Sequence, residues 1–153
     1  MAKPIDTELL GARRRLVETL REKGIRDLAV LHAFEMTPRH AFVPTGLRHR
    51  AYEDAALPIG NGQTISQPYI VALMTEAIGL EGGESVLEVG TGSGYQAAVL
   101  AEIAGHVDTI EIHDELATEA AERLAALGYH DVTVHHGDGY RGLPEHAPFD
   151  AIV

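Results

Sequence analysis

The sequence predicts an α/β fold of the doubly wound class, a mainly parallel sheet covered on both faces by helices and preceded by an N-terminal helical extension. Three observations carry this. Beyond about Leu80, short apolar runs alternate with helical periods, whereas the residues before it are helical around an irregular middle. Strands alternating with helices in this way take right-handed crossovers and pair in parallel. The third observation is the run Gly90-Thr91-Gly92-Ser93-Gly94, which joins the first apolar strand to the helix after it.

In chain order, a first helix reads from a cap at Asp6 or Thr7 to a stop at Gly24, with Leu9, Leu16, Val17 and Leu20 on one side. A second short helix spans about Asp27 to Glu35 on Leu28, Leu31 and Phe34. Pro38 to Gln67, dotted with Pro44, Gly46, Pro58, Gly60 and Gly62, reads as a long structured loop with a brief strand, and long ordered loops usually serve function. Ser66 then caps a helix with Pro68 in its first turn and Ile70, Val71, Met74 and Ile78 as its buried stripe. There follow a strand (Val86 to Val89), the glycine turn, a helix (about Tyr95 to Ala104), a strand (Val107 to Ile112), a helix (Glu115 to Leu127) and a strand (Val132 to His135). A last strand, Asp150 to Val153, is expected beside the first. That leaves an apolar sheet edge, so the reading expects either a fragment of a longer protein or a second copy covering the edge, as in a homo-oligomer.

At 153 residues one domain is the default, divided into residues 1–80 with the helices and loop and 81–153 with the strand–helix core. The 45% hydrophobic and 23% charged residues place the chain among ordinary globular proteins. A net charge of −11 opposes nonspecific binding to phosphate backbones or anionic lipid. The one dense basic run, Arg13-Arg14-Arg15, falls in an amphipathic helix and reads as a solvated face. The absence of cysteine excludes disulfides, thiolate metal sites and a cysteine nucleophile. No stretch approaches the ~20 apolar residues of a membrane span, and a cytoplasmic setting is expected. Nine histidines raise the question of a metal, but no paired ligand spacing occurs and His135 and His136 face opposite ways on a strand. No metal site is expected.

Glycine at Gly90, Gly92 and Gly94 permits a sharp strand-to-helix turn and lets backbone approach a ligand closely. The spacing is not the dinucleotide G-x-G-x-x-G, so a pyrophosphate cradle is not indicated. Glu111 ends the second strand at the offset where an acidic side chain meets ribose hydroxyls, and a carboxylate accepts from both at once. Asp138-Gly139 follows the third strand at the same sheet edge, where the carboxylate can accept from an adenine amino group and the glycine admits the ring. Three such elements at successive strand ends point to an adenosine-bearing cofactor.

Val86-Leu87-Glu88-Val89-Gly90-Thr91-Gly92-Ser93-Gly94-Tyr95, with Gly62-Gln63-Thr64-Ile65-Ser66-Gln67-Pro68 upstream and Gly137-Asp138-Gly139-Tyr140 and Pro148-Phe149-Asp150-Ala151-Ile152 downstream, closely resembles the protein-L-isoaspartate O-methyltransferases. The resemblance runs from the first helix to the final residue, and the Gly62–Pro68 block is its most specific part. It implies a Rossmann-like, class I S-adenosylmethionine-dependent methyltransferase that methylates the α-carboxylate of isoaspartyl residues in damaged proteins and peptides. By position it implies Ser66 as the catalytic-site serine beside the substrate carboxylate, and Gln67, Pro68 and Tyr69 lining the methionine end of S-adenosyl-L-methionine. It also implies Glu88, Gly90, Gly92 and Gly94 in the cofactor turn, Glu111 on the ribose, and Asp138 with Gly139 at the adenine.

A carboxylate with pKa near 4 is already an anion at pH 7, so attack on a sulfonium methyl needs positioning and exclusion of water rather than a base. Methyltransferases acting on nucleic acid are disfavoured by the charge and by the absence of an Asn- or Asp-Pro-Pro-aromatic motif or a cysteine. Two rivals remain: an isoaspartyl-type enzyme modifying a ribosomal peptide, and a cofactor-binding module without turnover. The second draws on a departure from the family, whose members continue past Val153 with elements that complete the sheet and the substrate wall.

Overall fold

The computed structural model describes residues 7–153. The N-terminal part is built of helix α1 (Leu10–Glu22), helix α2 (Leu28–Met36), two 3₁₀ segments (Arg39–Phe42 and Thr45–Arg50), a hairpin of strands β1 (Leu57–Gly60) and β2 (Gln63–Ile65), and helix α3 (Pro68–Ala77). The core continues through β3 (Ser85–Val89), α4 (Tyr95–Ala101), β4 (His106–Glu111), α5 (Asp114–Ala126), β5 (Val132–His136), a 3₁₀ turn (Gly139–Arg141) and β6 (Ala151–Ile152). These last four strands form one parallel sheet in the order β5-β4-β3-β6, so the final strand lies beside the first as expected.

Register explains which side each residue serves. Val86 pairs with Val107, Val107 with Val132 and Val86 with Ala151, and this face packs on Ala97 and Leu100 of α4. A second cluster joins the N-terminal helices to the core: Leu16, Leu20, Phe34 and Phe42 pack with Tyr95, Val99, Leu124 and Tyr129. The Phe34 and Phe42 rings both meet Tyr95 edge-on at 5.9 and 5.6 Å, an arrangement the ring quadrupoles favour. Successive strand residues alternate in side, so Leu87, Asp108 and Ile110 line the opposite face.

Several local expectations need correction. The α1 cap at Thr7 does not form; Leu9 occupies the cap with φ +54° and is 44% exposed instead of packing with the stripe, while Asp6 lies outside the described residues. Within the basic run, Arg14 and Arg15 are exposed but Arg13 is buried, its guanidinium donating to the Glu8 and Glu35 carbonyls and to the Tyr52 hydroxyl. Leu28 is exposed at the start of α2, and Val30, Leu31, Ala33 and Phe34 carry the buried side, with Asp27 capping the Ala29 and Val30 N–H groups.

Ser66 is not the cap of α3. Gln67 holds that position without a side-chain bond, and the buried stripe is Pro68, Val71, Ala72 and Thr75, leaving Ile70 and Met74 about 40% exposed. Small residues at Ala72 and Thr75 let the helix lie close to its neighbours, and Gln96 of α4 donates to the Thr75 hydroxyl at 2.9 Å. The expected loop contains a hairpin rather than one brief strand. Its turn residues Asn61 and Gly62 both have positive φ, +54° and +68°, the backbone of a type I′ turn.

Candidate functional site

The carboxyl ends of β3, β4 and β5 meet along one edge of the sheet, where ligands of open parallel sheets bind. At the tip of β3 the chain turns through Gly90 (φ +93°), Gly92 (φ +55°) and Gly94 (φ +94°) into α4. Four of the turn's five amides are spoken for. Gly90 and Thr91 donate to the Ile110 carbonyl, Gly92 to Glu111 Oε1 and Gly94 to the Thr91 carbonyl. The turn therefore offers a close backbone surface and few donors, a poor phosphate cradle and a suitable wall for a nucleoside without phosphates.

Glu111 is 5% exposed and holds the turn from the neighbouring strand: Oε1 accepts from the Gly92 N–H at 2.8 Å and Oε2 from the His113 N–H at 3.0 Å. Each oxygen keeps a second lone pair, enough for a vicinal diol. Beneath the turn, Glu88 is 4% exposed and lies in register with Thr109. The Thr109 hydroxyl donates to Glu88 Oε1 at 2.6 Å and stands 2.7 Å from the Thr91 hydroxyl. Burial pushes the Glu88 carboxyl up to about 8, with the charge of Glu111 adding to the rise and the Thr109 bond opposing it. At neutral pH Glu88 is thus mostly protonated, a hydroxyl donor beside the crevice.

A cleft of roughly 220 Å³ opens at the β3 tip, lined among others by Ser66, Met74, Glu88, Val89, Gly90 and Gly92. Met74 and Val89, 38% and 47% exposed, supply its apolar wall. Ser66 reaches it from the N-terminal part because two charged groups, buried Arg39 and half-buried Asp54, hold that segment. Arg39, fully buried, donates through Nη2 to the carbonyls of Ser66 at 3.0 Å and Ala55 at 3.1 Å and stacks 4.8 Å from the Tyr95 ring centre. Burial lowers the pKa of this guanidinium. Asp54 accepts from the Tyr69 N–H at 2.9 Å, from Gln67 Nε2 at 3.2 Å and from Lys23. Its burial alone would raise its pKa, but the Lys23, Tyr69 and Gln67 bonds outweigh that and hold the carboxyl below its ordinary range. With Asp54 anchoring the first turn of α3, Ser66 is left exposed at the lining of the cleft.

Sequence reasoning missed Arg39, Asp54 and Thr109. Arg39 acts on residues 16 and 27 positions away and Asp54 on residues 13 and 15 away, and no local pattern signals such pairs. Thr109 carries a weak signal, a hydroxyl between Val107 and Ile110 in a strand that also holds His106, Asp108 and Glu111.

Of the expected site residues, Ser66, Glu88, Gly90 and Gly92 share the cleft, and Glu111 braces it through Gly92. Pro68 and Gly94 serve packing: Pro68 is buried in the α3 stripe, and a side chain at Gly94 would meet Leu124 at 3.2 Å. Gln67 and Tyr69 are turned to Asp54, and Lys23 sits 5.6 Å over the Tyr69 ring. Asp138 lies in a neighbouring groove with Ile110, His135 and Gly137, where its Oδ1 caps the following 3₁₀ turn through the Tyr140 N–H at 3.0 Å. Gly139 is required by contact, since a Cβ there would stand 2.4 Å from Val89 Cγ1.

A parallel sheet with flanking helices, a glycine turn at the β3 tip and an acid at the β4 tip define the Rossmann-like fold of class I methyltransferases. The chain belongs to the protein-L-isoaspartate(D-aspartate) O-methyltransferase family, whose model matches residues 12–153. It is 62% identical over 132 residues to the protein-L-isoaspartate O-methyltransferase of Synechococcus sp. (strain JA-2-3B'a(2-13)), covering 86% of this chain and 54% of that protein. To the enzyme of the same name from Dictyoglomus thermophilum it is 55% identical over 152 residues, covering 99% of this chain and 69% of that protein. The chain thus spans about half to two-thirds of the length of such curated relatives. A solved protein-L-isoaspartate O-methyltransferase superposes with a TM-score of 0.82 at 34% identity, covering 92% of this chain and 46% of the other. A Plasmodium falciparum protein of the same description, crystallised with S-adenosyl-L-homocysteine, gives a TM-score of 0.77 over 92% of this chain and 71% of its own; at 24% identity that likeness carries the fold alone. Among the described residues no helix is long and apolar enough to cross a membrane.

Proposed function

We propose that the protein binds S-adenosyl-L-methionine at the β3–β4–β5 edge and transfers its methyl group to the α-carboxylate of L-isoaspartyl residues in damaged proteins and peptides. The observation that carries this reading is the convergence of Ser66, from the N-terminal part, with Glu88 and the Gly90–Gly92 turn in one cleft. The names of the relatives support the same substrate. The donor set fits the cofactor: a turn with most of its amides occupied suits a ligand lacking phosphates, and the spare lone pairs of Glu111 suit a ribose diol.

When bound, the cofactor supplies an electrophilic methyl on a sulfonium. This chain's part is to hold and exclude. Glu111 orients the ribose, Met74 and Val89 keep water from the apolar wall, and Asp138 with Gly139 borders the adenine. Ser66 donates one hydrogen bond to the substrate carboxylate, which attacks as an anion without losing a proton. The products are the methyl ester and S-adenosylhomocysteine. The ester's methoxide leaves far more readily than oxide from a free carboxylate, so the next backbone nitrogen can displace methanol and close the succinimide, which water can open to aspartate. A cytoplasmic setting belongs to this reading.

Incubation with methyl-tritiated S-adenosylmethionine and an isoaspartyl peptide, beside the same peptide with normal aspartate, tests it. Base-labile label on the isoaspartyl peptide alone is expected. Equal label on both peptides, or none with the cofactor bound, refutes the assignment.

A further inference from the structure

Asp108 stands on the sheet face away from α4 and α5, beside Leu87 and Ile110, and is only 2% exposed. A carboxylate at such a place needs partners, since an unpaired buried charge is costly. Three imidazoles from three segments converge on one of its two oxygens, Oδ1. His135 of β5 brings Nε2 to 2.8 Å, His106 at the start of β4 brings Nε2 to 3.6 Å, and His146, from the loop ahead of β6, brings Nδ1 to 3.6 Å. The 2.8 Å contact is a hydrogen bond, whereas 3.6 Å is too long for one, so hydrogen bonding accounts for one of the three.

We propose that Asp108, His135 and His146 form a binding site for a single zinc ion. Asp108 Oδ1, His135 Nε2 and His146 Nδ1 all lie within 4.8 Å of one another. A tetrahedral zinc with bonds of about 2.0 to 2.1 Å sets its ligand atoms roughly 3.3 Å apart, a value bracketed by the 2.8 and 3.6 Å distances to Asp108. Two imidazoles and one carboxylate select a borderline divalent ion of the zinc type and disfavour magnesium and calcium, which take oxygen ligands. Three protein ligands leave a fourth position for water. The site is absent from sequence spacing because its ligands sit 27 and 11 residues apart and meet only after β4 and β5 pair and the loop folds back. The orientation of His135 away from His136, which argues against a local pair, is what turns it towards Asp108: His136 Nε2 goes instead to the Ile112 carbonyl.

The ligands also have a structural logic. His135 and His146 bracket the segment that carries Asp138 and Gly139, so an ion at this point ties both ends of that segment to β4. The inference stands on the cluster's geometry and is independent of the methyl-transfer reading.

The test is calorimetric titration of the untagged, metal-stripped chain with zinc chloride alone, repeated on three variants. His146→Ala removes an exposed loop ligand and leaves the sheet intact; Asp108→Asn keeps the side chain's shape; His49→Ala removes an exposed histidine in the Thr45–Arg50 segment. The expected result is about one zinc per chain for the wild type and His49→Ala, with affinity falling roughly tenfold or more in His146→Ala and Asp108→Asn. Zinc should raise the melting temperature of the wild type more than that of His146→Ala at the same concentration, and the visible absorption of bound cobalt(II) should be weaker without His146. No uptake at about 100 μM zinc, a range far above that of structural sites, overturns the proposal. So does equal affinity in the wild type and His146→Ala.

Discussion

Glu88 is the residue whose environment departs furthest from its ordinary chemistry within the cleft. Its carboxyl titrates near 8 in the folded protein against 4.5 ordinarily, chiefly because it is buried. The folded state therefore holds a proton the unfolded chain releases, and this contribution to stability is complete below pH 4.5 and lost as pH rises through 8. Glu88→Gln, which keeps an acceptor for Thr109 without the charge, should remove that dependence. We predict that by about pH 9 the variant is the more stable by roughly 2 to 4 kcal/mol, and that below pH 4.5 the advantage is gone. Chemical denaturation across that range checks it; parallel curves would exclude an ionising Glu88. On the proposed function, Ser66 and Glu111 divide the remaining work. Ser66→Ala is expected to lower turnover with near-normal cofactor affinity, while Glu111→Ala weakens the cofactor by roughly 1 to 3 kcal/mol by leaving a diol unpaired. Because Glu111 also accepts from the Gly92 and His113 N–H groups, its variant should lose thermal stability as well, and Ser66→Ala should not. Cofactor titration alongside initial rates separates the two, and equal effects from both would contradict the division.

At the scale of elements, the crevice is built by contacts between segments that meet at strand tips. The turn after β5 lies so close to β3 that a Cβ at Gly139 would fall 2.4 Å from Val89 Cγ1. Gly139→Ala must push the two tips apart, an overpacking cost of roughly 1 to 3 kcal/mol. Val89→Ala removes the opposing methyl, so the double variant should regain most of the stability lost by Gly139→Ala alone. A thermal melt of the three variants reads this directly, and additive losses would show that the close approach is not what constrains residue 139. Helix α3 is governed in the same long-range way. Its start is fixed by Asp54, fifteen residues earlier, accepting the Tyr69 N–H, and this frees Ser66 from the capping role its position suggests.

Over the whole molecule, the core was legible because its signals are local. Val86–Val89, Val107–Ile110 and Val132–Val134 are short runs that begin and end on Val or Ile between helical periods, and the glycine turn and Glu111 follow from their spacing along the chain. The hairpin also had a local signal, Asn61-Gly62, which calls for a type I′ turn. What was not legible depends on tertiary approach. Arg13 looks like part of a solvated basic face and is buried against Tyr52, 39 residues away. The α3 stripe rotates onto Ala72 and Thr75 because small residues permit close packing, a choice that hydrophobicity alone does not encode. Arg39 and Asp54, which hold Ser66 at the cleft, have partners only the fold supplies. On the proposed function, the cleft at the β3 tip and the neighbouring groove after β5 together receive the sulfonium cofactor. A crystal structure of the chain with S-adenosylhomocysteine tests it most directly. Density is expected along the Gly90–Gly92 turn with both ribose hydroxyls in hydrogen-bond reach of Glu111; density elsewhere, or an empty cleft at saturating ligand, would overturn the assignment.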